Sequence, residues 1–307
     1  MIPLIARRIA QGLPTLFLVV TASFFLIRLA PGGPFDLERP LPPAAMENLR
    51  RVYGLDQPLV VQYGRYWLSL LRGDLGPSFT FRDLTVTDLF ARGLPVSASL
   101  GALALVLALV LGLALGSLAA LRRGGAADRL VGLAASLGLA VPSFVTAPLL
   151  QIVFGLSLAW LPVAGWAGGN PNNLILPVIT LALPHAAGIA RLTRASLGEV
   201  LIQPHIRTQR AMGLSRRRIA RHALRGALLP VVATLGPLAA GLMTGSVVVE
   251  TIFGLPGIGR YFVDGALNRD YTLVMGTVVL VAVLVIVFNL IADLLAAALD
   301  PRVRMAA

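Results

Sequence analysis

Cysteine is absent from the 307 residues, which excludes disulfides, thiolate catalysis and zinc–thiolate sites. Lysine is absent too: all 26 basic side chains are arginine. Without lysine there is no Walker A loop, whose lysine reaches the nucleotide phosphates, and no Schiff-base chemistry. If the protein's work consumes ATP, another chain binds it. Histidine is scarce. His185, His205 and His222 stand at no HExxH spacing, so no metal site is expected. No GxSxG elbow occurs; Ser136 and Ser196 come nearest, and both lack the first glycine. Charge is sparse as well, at 13% of residues, where soluble domains carry about a quarter. No catalytic residue and no covalent chemistry are expected.

What is present is apolar. Hydrophobic residues make up 57% of the chain, and the mean hydropathy is +0.82. A spanning helix needs about 20 mostly apolar residues. Charge-free runs supply the candidates: Ile9–Ile27, Gly93–Leu121, two spans within Leu130–Ala190, Gly226–Val249 and Tyr271–Ala292. The middle of the long run, WLPVAGWAGGNPNN (160–173), reads as an interfacial loop. The first span is longer than the apolar core of a signal peptide and is expected to be retained. The predicted fold is therefore all-α, a six-span membrane protein.

Arginine placement orients it. With the N-terminus inside, the inner segments hold 16 arginines against Asp128, Glu199 and Asp300. The outer segments hold nine, seven of them in a long first loop with seven acids. Long loops weigh little in the positive-inside rule, so both termini are expected to be cytoplasmic. The units are residues 1–29 (N-terminal segment and first span), 30–95 (outer loop with short helices), 96–299 (five-span core) and 300–307 (tail). In the outer loop, Pro43–Tyr53 predicts a helix stopped by Gly54. A second helix follows, with Asp56 as its cap and Gly73 at its end. Leu59, Val60, Tyr63, Tyr66, Trp67, Leu70 and Leu71 recur along it at helical spacing, which suits either a packed cap over the bundle or a membrane-surface helix.

Residues 207–230, RTQRAMGLSRRRIARHALRGALLP, contain seven arginines and no acid. Ile206–Met212 predicts one short helix, Gly213 its left-handed end, and Ser215 the cap of a second helix, Arg216–Gly226. Pro230 then falls just inside the fifth span. A loop kept inside by its charge is the plainest reading. A nucleic-acid reader would be tethered to membrane at both ends and could not reach a groove, so no nucleic-acid partner is expected. A docking helix for a cytoplasmic partner fits the mixture best, with Ile206, Ala211, Met212 and Leu214 available for burial.

The stretch resembles the EAA loop of binding-protein-dependent ABC importers. Arg207-Thr208-Gln209 occupies the E-A-A positions, and Gly213 and Leu229-Pro230 match cleanly. RTxRAxGL followed by RHALRxALLP is similar to the peptide-transporter branch, with Gln209 where a small residue is usual. Further motifs agree in order: RLAPGGPF (28–35), GDLGPSF (73–79), LPVSA (94–98), ETIFGLPGIG (250–259) and GALNRDY (265–271). Together they resemble the B-type permease subunit of oligopeptide importers over nearly the whole chain.

That resemblance implies a transmembrane permease in the plasma (inner) membrane, paired with a second, C-type permease. It also implies two ATPase subunits that hold ATP and Mg, and an extracytoplasmic peptide-binding protein. The coupling loop, 193–226, would contribute Arg207, Thr208, Gln209, Ala211, Met212, Gly213 and Leu214, with Leu229 and Pro230 beyond it. This chain would bind no cofactor. Candidate gate or path residues are Ser143, Ser246, Glu250, Gly254, Pro256 and Gly257, with Glu250 the foremost. Pro142, Ser143 and Pro148 would kink the third span; Pro177, Pro184 and His185 mark the fourth, and Asn289 and Asp293 the inner end of the sixth. Dipeptide, nickel or glutathione permeases are the alternatives within the family, and GGPFDLERPLPP (32–43) inclines the reading to oligopeptides. An ion-coupled transporter or channel would want buried charge at mid-membrane, which these spans scarcely offer. An intramembrane protease using Ser143 and His185 has no supporting signature.

Overall fold

The computed structural model describes residues 2–30, 33, 43–81 and 83–299. GGPFDLERPLPP and the tail lie almost wholly outside the described residues. The architecture is helical. The described residues contain one isolated antiparallel bridge, Pro77 to Thr85, and no longer strand.

Five helices are long and apolar enough to cross a membrane, and a bent pair makes a sixth. They are α1 (Ile2–Leu29), α4 (Val86–Leu121), α5 with α6 (Ala126–Ala140 and Ser143–Leu150), α7 (Pro171–Val200), α9 (Arg216–Met243) and α12 (Tyr271–Leu299). Short helices join them: α2 (Pro43–Val52), α3 (Leu59–Leu71), α8 (Pro204–Ala211), α10 (Val247–Ile252) and α11 (Ile258–Leu267). At 1.5 Å per residue, α4 is about 54 Å long, well beyond the roughly 30 Å of a hydrocarbon core. Its extra turns begin seven residues before the charge-free run. A capping box stabilises that start: Thr85 Oγ1 accepts the Asp88 N–H at 3.1 Å, and Asp88 accepts the Thr85 N–H at 3.0 Å.

The third span is broken rather than merely kinked, bending by 103° between its halves. Pro142 offers no N–H, and Val141 before it is extended. Pro148 lies inside α6, which runs on into a π-helical turn, Gln151–Ser157. The basic helix and the fifth span, read apart in the sequence, form the single helix α9 through Pro230 and Pro237.

Lipid gives helices no hydrophobic reason to associate, so close packing and small residues decide. The faces of α4 and α7 meet at Gly112 and Gly116. A Cβ on Gly112 would stand 2.6 Å from Ile189, and one on Gly116 2.5 Å from the Ala190 carbonyl. Around this seam sits the main core, with Leu100, Ala104, Ala108, Leu176, Leu181, Ala182, Val231 and Phe253 buried. Helix α1 stands aside and packs on α12, where Arg8 pairs with Asp293 at 2.7 Å. That pair sets the beginning of α1 beside the last turns of α12, so these two helix ends share one end of the bundle.

The outer-loop helices form near the predicted places. Gly54 has φ 64° after α2, and Gly73 has φ 76° after α3. The cap differs: α3 begins after Pro58 and no side chain caps it. Proline at that position fixes φ but has no side-chain acceptor to offer the first turn. Of the periodic residues, Tyr63, Tyr66, Trp67 and Leu70 pack against Val20, Phe24, Met275 and Val279. Val60 and Leu71 face outward. The helix is thus a packed cap on α1 and α12, with one apolar edge left open.

Candidate functional site

Two features share the bundle's ends: a basic loop with α8, and a glycine-rich turn with Glu250. The loop leaves α7 and rests on a small core made by Ala120, Leu197, Ile206, Ile219, Ala223 and Ala227. Ile206 is wholly buried and pins α8 to the ends of α4, α7 and α9. Leu214 is half-buried beside it. Ala211 and Met212, available for burial by sequence, are exposed instead, Met212 at 74%. Ile206 is on the inward face of a helix too short to bury a second stripe, and the final turn projects away. Arg207, Thr208 and Arg210 are exposed alongside.

Gly213 has φ 77°. Its N–H donates to the Arg210 carbonyl at 3.0 Å, and the Leu214 N–H donates to the Gln209 carbonyl at 3.2 Å. These bonds close the end of α8, as the sequence predicted. A Cβ on Gly213 would meet nothing within 4 Å, so backbone conformation alone demands glycine there. Ser215 stands at the N-cap of α9, yet its side chain makes no cap hydrogen bond. Gln209 is half-buried, and its Oε1 is buried without a partner. The structure does not bring Leu229 and Pro230 to this surface. They lie within α9, about 20 Å along the helix from its start.

Sequence reading missed the brace beside the loop. Asp128 is 6% exposed, accepts the Gly124 N–H at 2.9 Å and takes both Nε and Nη2 of Arg194. A two-pronged arginine–carboxylate pair is geometrically specific, and this one ties the α4–α5 turn to the end of α7. The available signal was an acid standing almost alone among the inner arginines.

At the opposite end, Glu250 lies in α10 with no exposed surface. Its Oε1 accepts from Ser97 Oγ at 2.6 Å and its Oε2 from the Gly259 N–H at 2.9 Å. Ser97 Oγ in turn accepts the Ile258 N–H at 2.8 Å. The LPVSA and ETIFGLPGIG motifs are thereby joined. Gly257 is required by contact: a Cβ there would strike the Glu250 carboxylate. Gly254 is required by its φ of 64°. Ser246 caps α10, its Oγ accepting the Val249 N–H at 3.4 Å. Pro256 and Gly254 are exposed on the turn. So Ser246, Glu250, Gly254, Pro256 and Gly257 belong to one unit. Ser143 opens α6 and is not a hydrogen-bond partner of Glu250. The Glu250 carboxylate faces protein on every side, and its evident work is to hold the turn rigid.

Two of the remaining three motifs are also joined. Asp270 is wholly buried. It accepts from Ser78 Oγ at 2.5 Å and from the Phe79 and Thr80 N–H groups at 2.8 and 3.0 Å. It also caps α12 through the Leu273 N–H at 3.0 Å. GDLGPSF and GALNRDY meet on this one carboxylate, which had drawn no separate reading in the sequence. Among the described residues no three His, Asp or Glu side chains converge as a metal site would need.

Comparison with known proteins places these features. Residues 112–305 match the family described as the binding-protein-dependent transport system inner membrane component. That range begins in α4 and takes in the brace, the basic loop and the Glu250 turn. The chain is 50% identical over 305 residues to the oligopeptide transport system permease protein OppB of Haemophilus influenzae, covering 99% of this chain and all of that one. It is 51% identical to the OppB of Salmonella typhimurium over the same span. The dipeptide transport system permease protein DppB of Bacillus subtilis is 44% identical over 292 residues, covering 95% and 94% of the two chains. The similarity to the two OppB proteins covers 99% of this chain, and so takes in residues of the first span and the loop after it as well as the core. The chain belongs to the family of binding-protein-dependent transport system inner membrane components.

Proposed function

We propose that this chain is the transmembrane permease subunit of an ATP-driven oligopeptide importer. It forms half of the peptide path and couples that path to separate ATPase subunits. The observation that carries the coupling is α8: a short helix pinned by Ile206 that presents Met212, Arg207 and Thr208 outward. An exposed methionine in a stretch with exposed arginines suits a partner's groove, since methionine adapts to irregular contacts. Oligopeptides are favoured over dipeptides because similarity to the oligopeptide permeases, at 50% and 51%, exceeds that to the dipeptide permeases, at 44% and 40%.

ATP and Mg bind to the partner ATPases, and no cofactor belongs to this chain. A second permease completes the path, and an extracytoplasmic binding protein delivers peptide. Both termini are cytoplasmic, which the arginine excess supports. ATP must favour one arrangement of the permease over another, and α8 transmits that free-energy difference because its buried side is anchored in three spanning helices. The Glu250 turn acts as a rigid closing element at the outer end.

Reconstitution tests the reading. Vesicles holding this chain with a second permease and two ATPases should import an oligopeptide from a loaded binding protein and consume ATP in step. Ion-gradient-driven uptake by this chain alone would support an ion-coupled transporter instead.

A further inference from the structure

Where α1 ends, the outer-loop helix α3 and the start of α12 enclose a small cavity of about 210 Å³. Arg28, Gln62, Arg65, Tyr66, Ser69 and Asp74 contribute to its wall. Of the five buried side-chain polar atoms without a partner among the described residues, two belong to the cavity wall: Arg28 Nη1 and Tyr66 Oη. A buried donor left unpaired is costly, and more so on a charged group. Two on one wall ask for an acceptor.

The surroundings say what kind. Arg28 is held in place from its other side. Its Nε donates to Gln62 Oε1 at 3.0 Å, and its guanidinium lies 3.5 Å over the Phe24 ring. Burial pushes the Tyr66 phenol up to about 12, so its hydroxyl keeps its proton and remains a donor. The named wall carries two arginines and one aspartate, a net charge of +1. Asp74 is turned to its own loop, accepting the Gly76 N–H at 2.9 Å. Drug-sized ligands occupy roughly 300–1,000 Å³, so the cavity suits a head group and is small for a peptide. One turn before Arg28, Phe24 meets Tyr63 at 5.2 Å, and tyrosines at the end of a span suit a membrane–water interface. Leu26 and Leu29, at 69% and 71% exposed, offer a path for acyl chains beside it.

We propose that this cavity binds the phosphate of a membrane phospholipid, with Arg28 and Tyr66 as the donors to its oxygens. Basic pockets at helix ends take lipid head groups by this chemistry. Which leaflet supplies the lipid rests on the orientation proposed above; the binding itself does not. The lipid would fasten α3 to α1 at the edge of the protein.

The test uses the full chain purified in nonionic detergent, with bound lipid measured by native mass spectrometry. Phosphatidylglycerol is titrated against diacylglycerol of the same chains, which lacks phosphate, and inorganic phosphate is supplied as a competitor. Phosphatidylglycerol should be retained and diacylglycerol should not, and millimolar phosphate should displace little. Arg28→Gln should weaken retention at least tenfold, Tyr66→Phe about threefold, and Arg28→Lys less than Arg28→Gln. Should Arg28→Gln fail to fold, Tyr66→Phe preserves the ring packing and carries the comparison. Equal retention by the variants, or equal retention of diacylglycerol, would overturn the site. Free phosphate binding as tightly as the lipid would overturn the lipid assignment. None of these readouts needs an ATPase or a peptide, so a failure here leaves the transport reading standing.

Discussion

Glu250 and Asp270 each hold together segments far apart in sequence, and each is buried on the strength of its hydrogen bonds. Burying a carboxylate is costly unless donors compensate. Glu250 has Ser97 Oγ and the Gly259 N–H; Asp270 has Ser78, Phe79, Thr80, Thr272 and Leu273. Glu250→Ala would leave the Ser97 hydroxyl and the Gly259 N–H without their acceptor and open a cavity, a loss of about 2–4 kcal/mol. Glu250→Gln keeps the shape and one acceptor oxygen and should cost clearly less. Thermal unfolding of the purified variants measures both; equal midpoints would mean the turn does not depend on this carboxylate. The sequence showed the motifs around these residues but not their pairing. Ser97 and Glu250 are 153 positions apart, and Ser78 and Asp270 are 192 apart. Asp128 escaped notice for the same reason: its partner Arg194 comes from another helix. Spacing reports local neighbours, and a bundle makes its polar contacts between helices.

Among the elements, α8 and its glycine corner carry the clearest consequence. Gly213→Ala should cost about 1 kcal/mol locally, through φ alone. Gly213→Asp adds a charge and bulk at an exposed corner, where no atom within 4 Å stands in the way of its Cβ and only the φ strain opposes it. Membrane levels and pairing with the second permease should stay normal, while ATPase co-purification and peptide uptake fall by tenfold or more. Arg217→Ala, one exposed arginine among several, should change uptake less than twofold. Uptake by Gly213→Asp at the parent rate would show that this corner does not couple. The corner was legible because glycine announces a left-handed φ. The 103° break at Pro142 was legible only as a disturbance. Proline predicts where a helix yields, and packing against neighbours decides how far. The joining of the basic helix to the fifth span was hidden because Gly226 reads as a boundary, with Pro230 just inside the next span. Helix α9 absorbs both, since a proline in a packed span can be accommodated by its surroundings.

On the scale of the whole molecule, one end of the bundle carries the basic loop, the start of α1 and the end of α12, and the other carries the Glu250 and Asp270 locks. The six-span pattern was legible because lipid demands long apolar helices whatever their packing. Sidedness is checked by single cysteines, which this cysteine-free chain accepts without background. Ser215→Cys should react only with reagent that reaches the cytoplasm, and Asn170→Cys only with reagent outside. Reaction of both from one side would overturn the six-span topology. The central claim, that α8 docks on the ATPase, is tested most directly at Met212, its most exposed apolar side chain. Met212→Cys carrying a short photo-crosslinker, in membranes that hold the assembled importer, should give one adduct with the combined mass of this chain and an ATPase subunit. ATP should change its yield. An adduct with the extracytoplasmic binding protein, or none with the ATPase in an importer that still transports, would contradict the account.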